Sequence, residues 1–127
     1  MKNKYYVQLA AILGMLAVGI GAFGAHGLET ILEANGRTDT FETAVKYHFY
    51  HALSILALAI WLQNQPQHTF LKSVMGLFVL GILIFSGSLY ILSLTGVNWL
   101  GAVTPIGGVA FIAGWFWLFW SARKLQS

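Results

Sequence analysis

At 127 residues, with 57% hydrophobic and 9% charged residues and a formal charge of +3, the chain has too few charges to cover a soluble domain of its size; roughly 25% charged residues is ordinary for one. Its seven Lys and Arg are scattered rather than aligned on one face, which argues against a nucleic-acid footprint. It has no cysteine, which excludes disulfides, thiolate metal ligands and a Cys nucleophile.

Crossing a bilayer core as helix takes about 20 apolar residues, and four stretches supply them. The first, 5–26, is uncharged and follows Lys2 and Lys4. Its apolar part exceeds the roughly 7–15 residues of a signal-peptide core, so a retained helix is expected. The second, 43–62, has a helical start upstream, where Asp39 and Glu42 have the spacing of a capping box. The third, 70–95, contains Lys72 as its one charge. The fourth, 104–122, opens on Thr104-Pro105, a pattern that predicts an N-cap followed by Pro in the first turn. A longer helix from Trp99, kinked at Pro105, is the alternative.

The expected fold is therefore all-α, an integral membrane four-helix bundle forming one domain over 1–127. All four carboxylates, Glu29, Glu33, Asp39 and Glu42, fall in the connection 27–42 between the first two spans. Within it Leu28, Ile31 and Leu32 share one helical face and Glu29 and Glu33 another, which predicts a short helix lying in the interface. Asn35-Gly36 reads as a turn.

Four spans put both termini on one side, together with Lys2, Lys4, Lys72, Arg123 and Lys124; the other side keeps Arg37 and Lys46. Because Lys and Arg accumulate on the cytoplasmic side, both termini are expected inside and 27–42 outside, in a plasma or bacterial inner membrane. Tyr5, Tyr6, Trp61 and Trp120 fall at the inner ends and Tyr47, Tyr50 and Trp99 at the outer ends, as interfacial aromatics should.

Ala10, Gly14, Ala17, Gly21 and Gly24 form a small-residue stripe on the first span. In lipid, such stripes let backbones approach, either within the chain or between subunits. In 85–90, Ser86 and Ser88 suggest hydrogen bonding to their own helix or a neighbouring one.

Candidate chemistry rests on three histidines: His26 at the end of the first span, and His48 and His51 one turn apart on the second. Imidazoles at one membrane face suit a metal, a quinone headgroup or a haem, with Glu29 and Glu42 as carboxylates that would orient the rings. The plainer reading is that these histidines only bond neighbouring backbone and hydroxyl groups. His68, in the loop between the second and third spans, reads as solvated. No charge lies near the middle of a span, where transporters and pumps place ionisable groups. No nucleophile elbow and no phosphate-binding Gly pattern is present, so no catalytic residues are assigned and no cofactor is required.

Three blocks occur together: Gly21-Ala22-Phe23-Gly24-Ala25-His26-Gly27-Leu28; Phe41-Glu42-Thr43-Ala44-Val45-Lys46-Tyr47-His48-Phe49-Tyr50-His51-Ala52-Leu53; and Phe85-Ser86-Gly87-Ser88-Leu89-Tyr90 with Thr104-Pro105-Ile106-Gly107-Gly108. In order and spacing they resemble the YgdD/YwdK-like family of small bacterial inner-membrane proteins, to which eukaryotic transmembrane protein 256 is similar. The resemblance covers almost the whole chain. It implies a four-span membrane protein of unknown function and brings no catalytic residues with it.

Three functions follow as expectations. The first is a structural or accessory bundle that packs with itself or a larger membrane complex. The second is a metal-, haem- or quinone-binding protein using His26, His48 and His51. The third is a small channel or exporter, which needs an oligomer because a glycine-packed four-helix monomer leaves little room for a pore.

Overall fold

A computed structural model describes residues 3–125. The elements run α1 (Lys4–Ala25), α2 (Glu29–Ala34), α3 (Thr38–Asn64), α4 (Phe70–Gly81), a π-helical turn (Ile82–Ser86), α5 (Gly87–Thr95), a 3₁₀ turn (Asn98–Ala102) and α6 (Thr104–Ala122). Among the described residues, four helical stretches are long and apolar enough to cross a membrane: Lys4–Ala25, Thr38–Asn64, Phe70–Thr95 and Asn98–Ala122.

Helix α1 packs along α3, and α6 packs along α4 and the π turn. Helices α3 and α4–α5 form the middle of the bundle and bury more of themselves than the flanking α1 and α6. Large rings settle on residues that have no side chain. A Cβ on Gly24 would run into the Phe41 ring and one on Gly81 into the Phe111 ring, while one on Gly114 would lie 2.6 Å from Phe78. Gly107 is tighter still, because its Cβ would overlap the backbone nitrogen of Phe85. In lipid, where burying Leu against Leu gains little, such close fits supply most of the helix association.

The small-residue stripe of α1 does face α3 within the chain: Ala10 and Ala17 are buried, and Gly21 and Gly24 meet Val45 and Phe41. At Gly14, by contrast, nothing lies within 4 Å of where a Cβ would be.

The helix ends depart from the sequence signals. Helix α3 starts at Thr38 with Arg37 at the cap and no side-chain cap bond, so the Asp39–Glu42 capping box does not form. Instead the Thr43 hydroxyl donates to the Asp39 carbonyl at 3.0 Å. Thr104 is not an N-cap either: α6 begins on it, Pro105 sits in the first turn, and its hydroxyl is used elsewhere. Of the two starts considered for the fourth helix, neither is complete, since a 3₁₀ turn at Asn98–Ala102 precedes the α-helix. Gly36 takes φ +63°, the left-handed turn conformation that Asn35-Gly36 suggested.

Helix α2 is less superficial than a purely interfacial helix. Leu32 is buried, while Ile31 remains exposed. Asn35, just beyond α2, donates from its amide to the Ser93 carbonyl at 3.0 Å, and Arg37 donates to Asn98 Oδ1 at 2.6 Å. These contacts pin the connection to the end of α5 and to the 3₁₀ turn.

Candidate functional site

The bundle interior has two halves. Towards the termini it is apolar, built on Ile55, Leu58, Leu62, Leu71, Val74, Met75 and Phe78. Towards α2 it contains buried polar side chains: His48, His51, Ser86, Ser88, Ser93 and Thr104.

His51 marks the boundary between the halves. Its Nδ1 lies 2.7 Å from the Tyr47 carbonyl and its Nε2 3.1 Å from Trp115 Nε1. A carbonyl only accepts and an indole N–H only donates. The ring is therefore the neutral tautomer with its proton on Nδ1, and both nitrogens are in use. Phe111 stacks on it with centroids 3.7 Å apart, and Phe78 meets it edge-on at 5.0 Å. No lone pair remains for a metal or a haem iron.

His48 is bonded through Nδ1 to the Tyr90 hydroxyl at 2.8 Å. Its Nε2 is buried without a partner among the described residues, as is the Ser93 hydroxyl. Around it, Ser86 donates to the Ala44 carbonyl at 2.7 Å, tying the π turn to α3. Ser88 and Thr104 share a hydroxyl–hydroxyl bond of 2.6 Å that ties α5 to α6. Thr104 also donates to the Leu100 carbonyl at 3.2 Å.

His26 stands apart. It is exposed at the end of α1. Because Gly24 packs on Phe41 and Gly21 on Val45, the end of α1 lies level with Phe41. At 1.5 Å per residue, His48 is then about 10 Å deeper and His51 about 15 Å deeper. The three imidazoles do not share one depth. Among the described residues no group of three or more His, Cys, Asp or Glu is placed to hold a metal. Glu29 and Glu42 are exposed and line a hollow at the α2 end of the α1–α3 seam, away from His51. His68 is bonded to Gln65 Oε1 at 2.5 Å and rests between Trp61 and Phe70.

Sequence reasoning passed over Tyr90, Phe111 and Trp115, which complete this layer. Trp115 and Phe111 look like ordinary lipid-facing aromatics, and only the α3–α6 register brings them to His51. The π turn gave no sequence signal beyond the Ser86-Gly87-Ser88 run beside it.

Comparison with known proteins agrees with the fold. Residues 20–108 match the family described as protein of unknown function DUF423. The chain is 44% identical over 121 residues to UPF0382 membrane protein YwdK of Bacillus subtilis, covering 95% of this chain and 98% of that one. It is 40% identical over 127 residues to a UPF0382 membrane protein of Haemophilus influenzae, covering 100% and 99%. It is 38% identical over 126 residues to UPF0382 inner membrane protein YgdD of Escherichia coli, covering 99% and 95%. No solved structure matches.

Proposed function

The chain belongs to the DUF423 family of multi-pass membrane proteins of unknown function, and on that premise we propose that it is a structural or accessory bundle acting through its outer surface. The carrying observation is the use made of the interior polar groups. His51 bonds the Tyr47 carbonyl of its own helix and the Trp115 indole, His48 bonds Tyr90, Ser86 bonds the Ala44 carbonyl, and Ser88 bonds Thr104. Such bonds fix helix register; His48 Nε2 and the Ser93 hydroxyl stay unpartnered, but among the described residues no three His, Cys, Asp or Glu converge on a metal-sized site.

The partner is a second copy or a larger membrane complex. Blue-native electrophoresis of tagged protein from gently solubilised membranes tests this. Migration well above the monomer that collapses in harsher detergent supports it; a lone monomer at every detergent level contradicts it.

In the orientation that the Lys and Arg distribution supports, both termini are cytoplasmic and Asn35 is outside. Asn35→Cys should label with an impermeant thiol reagent in intact cells, and Gln65→Cys should not. The reverse pattern inverts the topology.

A further inference from the structure

Three adjoining hollows run down the seam between α1 and α3. The first, about 360 Å³, lies at the α2 end and is lined by Glu29, Glu33, Thr38, Glu42 and Lys46 above Gly24. The second, about 280 Å³, shares Gly21, Val45 and Lys46 with it and continues over Ala17 and Phe49. The third, about 380 Å³, shares Val18 and Phe49 with the second and ends among Ala10, Gly14 and Leu56. Together they make one groove whose head is charged and whose remainder is apolar.

From Gly24 to Ala10 the groove follows fifteen residues of α1, about 21 Å of helix rise. That exceeds the roughly 15 Å of one leaflet's hydrocarbon, so a whole acyl chain fits along it. Gly21 and Gly24 let α1 close on Val45 and Phe41, whereas at Gly14 nothing lies within 4 Å of where a Cβ would be, so the groove is open there. The head is lined by three carboxylates and one ammonium, at the end of the seam where α1 stops and α3 starts.

We propose that the α1–α3 groove is a binding site for a phospholipid with a primary-amine zwitterionic headgroup, of the phosphatidylethanolamine class. Its ammonium has three N–H donors to share among Glu29, Glu33 and Glu42. Its phosphate is within the same hollow as Lys46 and the Thr38 hydroxyl, and its acyl chain lies over Gly21, Val18 and Gly14. An anionic headgroup without an amine meets three carboxylates against a single Lys. A quaternary choline headgroup has no N–H to donate. The site stands independently of the accessory role, because it concerns a lipid rather than a protein partner.

Native mass spectrometry of the full chain in mild detergent tests it. Palmitoyl-oleoyl phosphatidylethanolamine, phosphatidylglycerol and phosphatidylcholine are titrated in competition. The site predicts about tenfold better retention of phosphatidylethanolamine than phosphatidylglycerol, the sum expected of three solvent-edged ion contacts. The Glu29→Gln, Glu33→Gln, Glu42→Gln triple variant should bring that preference to within about twofold, and Gly14→Phe should lower retention of all three lipids. These positions are open, so both variants should keep the wild-type helical circular-dichroism spectrum. No headgroup preference in the wild type, a preference surviving the triple variant, retention unchanged by Gly14→Phe, or a second protein chain occupying the groove in place of lipid would each overturn the proposal. A negative result here leaves the blue-native result untouched, so the two proposals fail separately.

Discussion

At the scale of single residues, the decisive contact is the Trp115 indole on His51 Nε2, 3.1 Å long and at the border of the polar half. Trp115→Phe keeps the ring against lipid but leaves a buried nitrogen unpaired. The expected loss is about 1–2 kcal/mol in detergent-based unfolding. In a double-mutant cycle with His51→Phe, the coupling should be about 0.5–1.5 kcal/mol; additive losses would show that the bond contributes nothing. Ser86→Ala should cost less, about 0.6 kcal/mol, because the membrane-embedded unfolded state also finds partners for the hydroxyl. A loss above about 2 kcal/mol would mean that Ser86 does more than tie the π turn to Ala44. The histidines show where sequence reading ran short. That His48 and His51 share a helix is fixed by their spacing, and that His26 ends α1 follows from the length of an apolar run. Their depths depend on how α1 and α3 slide past each other, which Gly24 against Phe41 and Gly21 against Val45 decide. No spacing within one helix carries that information.

At the scale of elements, glycines and phenylalanines set the helix positions. Gly107→Ala drives a methyl into the Phe85 backbone, which cannot swing away as a ring can. It should destabilise by about 1–3 kcal/mol. Gly76→Ala, where nothing lies within 4 Å, should be neutral or stabilising by about 0.5–1 kcal/mol through helix propensity. Thermal unfolding in detergent reads both, and equal effects would mean that close packing is not what holds α6 to the π turn. The helices were legible because 20-residue apolar runs have few alternatives in a chain with this few charges. Their ends were less so. The Asp39–Glu42 and Thr104 signals both name residues able to cap, but Thr104 bonds Ser88 of α5 and the Leu100 carbonyl one turn back, and α3 begins one residue before Asp39. At Thr104 one tertiary and one local partner take the hydroxyl that a cap would have used.

At the scale of the whole molecule, the clustering of the acids follows from exclusion. In four apolar spans, Glu29, Glu33, Asp39 and Glu42 have only α2 and the first turns of α3 to occupy, and packing gathers three of them at the head of one groove. The polar half of the interior is the opposite case: His48, His51, Ser86, Ser88 and Thr104 each find a partner there, and only the Ser93 hydroxyl and His48 Nε2 are buried without one among the described residues. A bundle built this way acts on what touches its outside. The most direct test of that claim is metal analysis together with an absorption spectrum of protein purified without chelators, in wild type and in the His26→Ala, His48→Ala, His51→Ala variant. Well under one metal per chain and no visible chromophore are expected in both. One metal or one haem per wild-type chain, lost in the triple variant, would contradict it.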